Sequence, residues 1–175
     1  GFRQKLYLNQ LFDLYDILPE QISDRIRFRL QPGDNGWGIK EIFEARGLAS
    51  SVLPTGGNFC SDLINAKLTI INTNSSCLLE AIGINFPTIA LLDPAFCELR
   101  STSKIDFKKL EEIGIVHKNV RDAVNHITDI GDDVVGWWNK PTVQKALVSF
   151  RRKYFYNPSL KSDFETIKSI AKKQH

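Results

Sequence analysis

The sequence contains no methionine, even at position 1, and its three cysteines, Cys60, Cys77 and Cys97, have no paired spacing. An odd, unpaired set supports neither a disulfide framework nor a zinc site, so the thiols read as small buried hydrophobes. The missing methionine, with an opening GFRQKLY that already reads as helix, predicts a fragment of a longer chain. No apolar run approaches the roughly 20 residues of a membrane span, and no charged-then-apolar signal pattern opens the chain, so a cytoplasmic location is expected. A net charge of +3 on 175 residues is too small to argue for nucleic acid. It suits a mildly basic cleft for a phosphorylated ligand, or work at the inner face of an anionic membrane. G-x-S-x-G, H-E-x-x-H and G-x-G-x-x-G are also absent, which leaves serine hydrolase, zincin and standard dinucleotide chemistry without support. There is no D-x-D triplet either, and no metal is expected. His117 and His126 are nine residues apart on different predicted elements and read as surface or satisfied core histidines.

What is present is ordinary soluble-domain composition with local periodicity. Residues 3–18 place Leu11, Leu14, Tyr15 and Leu18 at helical spacing before Pro19. Ile26 to Gln31 alternates as IRFRLQ and predicts a strand, followed by the loop 33–38 and a helix from Ile39 to Arg46 closed by Gly47. Gly33 and Gly38 have the spacing of a phosphate-binding loop, but Ile39-Lys40 stands where lysine and a hydroxyl should follow, so that motif fails. Leu48 to Leu53 predicts a strand and Phe59 to Ala66 a short helix. Beyond Arg100 the pattern predicts helices over 105–113, 120–130 and 132–138, with a short edge strand at Gly114-Ile115-Val116-His117 between the first two. Pro141 then opens a striped helix with Val143, Ala146, Leu147, Phe150 and Tyr154. The Lys-rich tail after Asn157-Pro158 suits one further helix.

The informative stretch is 67–100. Leu68 to Ile71 is short, apolar and β-branched, as a fully buried strand should be. Asn72-Thr73-Asn74-Ser75-Ser76 then offers several helix caps before Leu78, Leu79, Ala81 and Ile82, and Gly83 and Asn85 end that helix. Thr88 to Leu92 makes a second buried strand, stopping at Asp93-Pro94. The unit is βαβ, and its loops 72–76 and 93–98 fall at the carboxyl edge of a parallel sheet, where open α/β folds bind ligands. Ser75 and Ser76 at a helix start either cap it or hold a phosphate on free N–H groups. Glu80, one turn further along the face of Ser76, is placed to accept hydrogen bonds from ribose hydroxyls.

N-T-N-S-S-x-L-L-E-A-x-G-x-x-x-P-T-I-x-L-x-D-P, with E-L-R at 98–100, G-I-x-H at 114–117 and W-W at 137–138, resembles the C-terminal half of GT-B glycosyltransferases. The resemblance spans about Arg25 to Tyr156. It is nearest to the LIC-type family of surface-carbohydrate transferases, distantly similar to Kdo and CDP-glycerol transferases. It implies a Rossmann-like open parallel sheet with helices on both faces over 1–140. Residues 141–175 form a C-terminal helical segment that packs on it or crosses to a missing N-terminal domain.

The implied activity is transfer of a sugar or sugar-like group from a nucleotide-activated donor to a glycan or lipid-linked acceptor, without metal. Asn74, Ser75, Ser76, Glu80, Asp93 and Arg100 fall at the donor site, and a family stretch like R-L-x-P-x-D-x-G-W adds Arg29 and Trp37. Arg29 otherwise reads as an exposed edge residue, and Trp37 as a core or hinge aromatic. The catalytic base is expected in the missing half, the fragment alone is expected to be inactive, and uncovered apolar surface would favour self-association. Two other readings remain: a nucleotide-sugar epimerase of the same fold, and a nucleotide-binding or interaction module without catalysis.

Overall fold

The fold, taken from a computed structural model, is described over residues 2–31, 33 and 36–155. Three parallel strands, β1 (Thr69–Ile71), β2 (Thr88–Leu91) and β3 (Val116–His117), form one sheet in the order β1-β2-β3. Thr69 pairs with Thr88, and Leu91 with His117. All four residues of β2 are wholly buried, which explains why its sequence is continuously apolar instead of alternating.

Helices α5 (Ser76–Gly83), α6 (Ser101–Glu112) and α7 (Val120–Ile130) flank the sheet. Each buries a stripe: Leu78, Ala81 and Ile82; Phe107 and Leu110; Ala123, Val124 and Ile127. At about 1.5–3 kcal/mol for each large side chain removed from water, these stripes hold the layers together. The corner α8 (Val134–Trp138) adds Trp137 and Trp138, and α9 (Pro141–Tyr154) buries Val143, Leu147 and Phe150 in the same core.

The N-terminal part is built differently. The long helix α1 (Phe2–Ile17) sends Leu14 into the main core and Phe12 into a second cluster. There Phe12 and Phe28 lie 5.1 and 4.9 Å from the ring of Phe43, beside Ile39 and Leu48. Ile39 and Phe43 come from α3 (Ile39–Ala45). Two short helices, α2 (Glu20–Ser23) and α4 (Phe59–Leu63), complete the region.

Several local expectations are corrected. The strand expected over Ile26–Gln31 contracts to a single parallel bridge between Phe28 and Val52. Phe28 exchanges hydrogen bonds with Ser51 and Leu53, while the carbonyl of Ile26 is taken by the guanidinium of Arg27. The partner strand expected over Leu48–Leu53 opens as a 3₁₀ turn, Ala49–Ser51, because Leu48 is still bound to Phe43 of α3. α6 begins at Ser101, four residues earlier than Ile105, and α4 stops at Leu63 instead of Ala66. Cys97 is buried as expected, but Cys77 is only half-buried and Cys60 is exposed on α4. The tail after Asn157 and residue Tyr156 lie outside the described residues.

Candidate functional site

At the carboxyl edge of the sheet the loops after β1 and β2 are fastened to one another and to α1. Asn72 donates its side-chain amide to the carbonyl of Tyr7 at 2.9 Å, and the Tyr7 hydroxyl donates to the carbonyl of Phe96 at 3.4 Å. The Tyr7 and Phe96 rings meet edge to face at 5.1 Å. The thiol of Cys97 sits against the backbone of Asn74. Burial pushes this thiol up, and the Asn74 backbone N–H pulls the other way.

On this edge α5 starts in an unusual state. Ser75 has the extended backbone of an N-cap, φ −123° and ψ 170°, yet its hydroxyl makes no capping bond. Leu78 bonds back to the Ser75 carbonyl at 3.2 Å. The N–H groups of Ser76 and Cys77, and both serine hydroxyls, have no partner among the described residues. By contrast Asn58, Asn119 and Asp133 each cap their helices through the side chain. A free first turn carries the positive end of the helix dipole and donors suited to an anion.

The start of α6 is similar. Ser103 and Lys104 bond to the carbonyl of Arg100, whereas the N–H groups of Ser101 and Thr102 have no partner among the described residues. Two helix starts, α5 after β1 and α6 after β2, therefore follow the carboxyl ends of adjacent strands.

The other residues singled out in the sequence are placed as follows. Asn74 is exposed in the β1–α5 loop, and Arg100 is exposed as the residue preceding α6. Glu80 is exposed on α5 and faces α4: burial, then the charges of Glu80 and Cys77, raise the thiol of Cys60. Asp93 is used locally. Its Oδ1 accepts the N–H of Ala95 at 2.8 Å, and its carbonyl accepts those of Phe96 and Cys97, which closes the turn.

Arg29 is half-buried and engaged. Its Nε donates to Asp62 at 2.7 Å, its Nη2 to the carbonyl of Gly57 at 2.8 Å, and its plane lies over the Phe59 ring. Trp37 is exposed in the turn before α3. The structure thus brings Asn74, Ser75, Ser76, Asp93 and Arg100 to one edge, places Glu80 one turn along α5, and ties Arg29 to the α4 side. No hydrogen bond or ring contact joins Trp37 to that edge among the described residues.

Asn72 reads in the sequence only as one of several candidate caps, and Tyr7, Asp62 and the Ser101-Thr102 helix start went unrecognised. For the last of these the signal existed, a run of hydroxyl residues directly after Arg100. His117 and His126, read as separate, stack with ring centroids 5.1 Å apart. Among the described residues no cluster of three or more histidine, cysteine or acidic side chains forms a metal site, and no helix is long and apolar enough to cross a membrane.

A parallel open sheet flanked by helices is the Rossmann-like class of α/β protein. The family model of the LIC12162 family transferases matches residues 1–160, so the chain belongs to that family and is of the transferase class. No curated protein and no solved structure matches it.

Proposed function

We propose that this chain forms the donor-binding part of a GT-B-type glycosyltransferase, holding a nucleotide-activated sugar or sugar-like donor for transfer to a surface glycan or lipid-linked acceptor. The observation that carries this reading is the uncapped start of α5, with the Ser76 and Cys77 N–H groups and the Ser75 and Ser76 hydroxyls without partners among the described residues. The start of α6 lies at the same edge. A diphosphate spanning the two would meet four backbone N–H groups and two dipole ends.

In transfer, negative charge develops on the leaving phosphate. Preorganised N–H dipoles stabilise that charge without a metal, and Arg100 beside them supplies a mobile cation. Glu80, one turn along α5, orients the ribose. Asp93 shapes the loop through its bond to Ala95, and Arg29 supports the α4 side through Asp62. The catalytic base and the acceptor site are assigned to a part of the enzyme outside this chain. The work is placed in the cytoplasm, at the inner face of the membrane.

Thermal unfolding against CMP, CDP, UDP, GDP and dTDP tests the reading. A nucleotide at a hundred times its dissociation constant adds about 2.7 kcal/mol to the folded state. For a chain of this size that raises Tm by roughly 5–10 °C. The expected result is a shift for one base class, lost in Glu80→Ala and in Ser76→Ala while both variants remain folded. A shift that survives both substitutions places the ligand elsewhere. No shift for any nucleotide, in this chain and in the longer protein alike, removes the donor-binding reading.

A further inference from the structure

A second cluster of chemistry lies away from the α5 start, at the entry to β3. Gly114 has φ +79°, and a Cβ there would lie 2.1 Å from Cε1 of His126, so only glycine lets the imidazole close against the strand. The His126 ring lies against His117, tilted by 55° with centroids 5.1 Å apart, and meets Trp137 edge to face at 5.2 Å. Nε2 of His117 bonds the Gly114 carbonyl at 2.9 Å, while Nε2 of His126 is buried without a partner among the described residues. The carbonyl of His117 accepts the N–H of Leu92 at 2.8 Å, the residue before Asp93.

We propose that the His117–His126–Trp137 stack is an acid-released latch. It fastens α7 and α8 to β3 and, through the His117 carbonyl, steadies the strand end that carries the β2–α6 loop. The proposal does not rest on the nucleotide reading.

A proton on Nε2 of His126 would place a buried N–H where no acceptor lies among the described residues, and a second proton on His117 would set two like charges on rings whose centroids are 5.1 Å apart. The surrounding charges do not compensate. Glu111 of α6 and Asp122 of α7 face His117, but Glu111 is paired with Lys118 at 2.7 Å and Asp122 with the side chain of Asn119 at 2.7 Å. Around His126, the carboxylate of Asp129 on its own helix is opposed by His117 and by Lys140 before α9. Burial is accordingly the first cause that lowers both histidines below the ordinary value. With both rings pushed toward the neutral form by burial, the latch is intact above the ordinary histidine value of about 6.5. As the pH falls below it, the open state takes up protons first and the latch weakens.

Amide hydrogen exchange at pH 7.5, 6.5 and 5.5, corrected for the intrinsic rate, tests this on the full chain, with β1 amides as the internal reference. Protection of the Leu92 amide should fall at least tenfold from pH 7.5 to 5.5 while β1 holds. In His126→Phe, which keeps a ring but cannot take a proton, the fall should be clearly smaller, since only His117 is left to titrate. In the same samples the His126 ring proton should titrate with a midpoint below 6.5. A midpoint at or above 6.5, a pH-independent Leu92 amide, or an equal fall in His126→Phe overturns the latch. If the variant does not fold, the wild-type titration and the Leu92 profile still decide.

Discussion

The two ends of α5 are made from one eight-residue helix and treated in opposite ways. At its C-terminal end the carbonyls of Glu80, Ala81 and Ile82 are all taken. Asn85 takes the left-handed conformation at φ 61°, its N–H and that of Phe86 return to Ile82 and Ala81, and its carbonyl accepts Nε1 of Trp138 at 3.0 Å. Phe155 packs so closely on Gly83 that an added Cβ would lie 2.9 Å from its ring. At the N-terminal end the serines that suit capping by composition leave the N–H groups of Ser76 and Cys77 without a partner among the described residues. A fold that satisfies one terminus so fully has the means to satisfy the other. The open donors at the carboxyl edge therefore contribute little to holding the helix, and under the proposed donor-binding role they are what the helix is used for.

Substitutions at the two ends test that separation. The largest effect is expected for Trp138→Ala, which opens a cavity in the main core and strips the Asn85 carbonyl of its donor. It should cost about 3–5 kcal/mol in chemical denaturation. Any nucleotide shift should persist under conditions where the variant remains folded. Asn85→Ala forces a Cβ-bearing residue without a compensating side-chain amide into the left-handed region and should cost about 1–2 kcal/mol, whereas Asn85→Gly should be close to neutral.

Next comes a cap that is used. The Asn119 side chain accepts the N–H of Asp122 at 2.9 Å, so Asn119→Ala should lower stability by about 1 kcal/mol. The smallest stability change is expected for Ser75→Ala, within about 0.5 kcal/mol because no capping bond is lost, together with a weakened nucleotide shift. If Ser75→Ala costs as much as Asn119→Ala, the serine is a working cap and the contrast between the two ends disappears.

Where the chain's signals are local, the structure follows them closely. Val120–Ile130 keeps the bounds its periodicity predicts, and Asp133 caps α8 through the N–H of Gly136. Pro141 occupies the first turn of α9. The buried run of β2 and the helix start at Ser75-Ser76 are equally visible from residue types.

The errors arise where geometry is set by distant partners. Alternation at Ile26–Gln31 describes a ribbon able to pair along its length, but pairing needs a second ribbon, and only Phe28 and Val52 meet. Nine residues separate His117 from His126, and their contact depends on the turn between β3 and α7 and on the missing side chain of Gly114. At the candidate site, residue types identify the helix start. They cannot tell an engaged hydroxyl from an open one, because that depends on a single rotamer and the backbone beside it. Arg29 shows the same limit: its neighbour Asp62 is 33 positions away, and nothing in the intervening chain announces the pair.

Tyr7 is held at both of its polar ends. Its carbonyl grips the loop after β1 through Asn72 and its hydroxyl the loop after β2 through Phe96, so the two loops are joined through a single residue of α1. Mechanically this makes the first turns of α1 a tie bar between the two loops at the carboxyl edge of the sheet. A shift of that helix would pull on both loops at once, with no adjustment of the sheet between them.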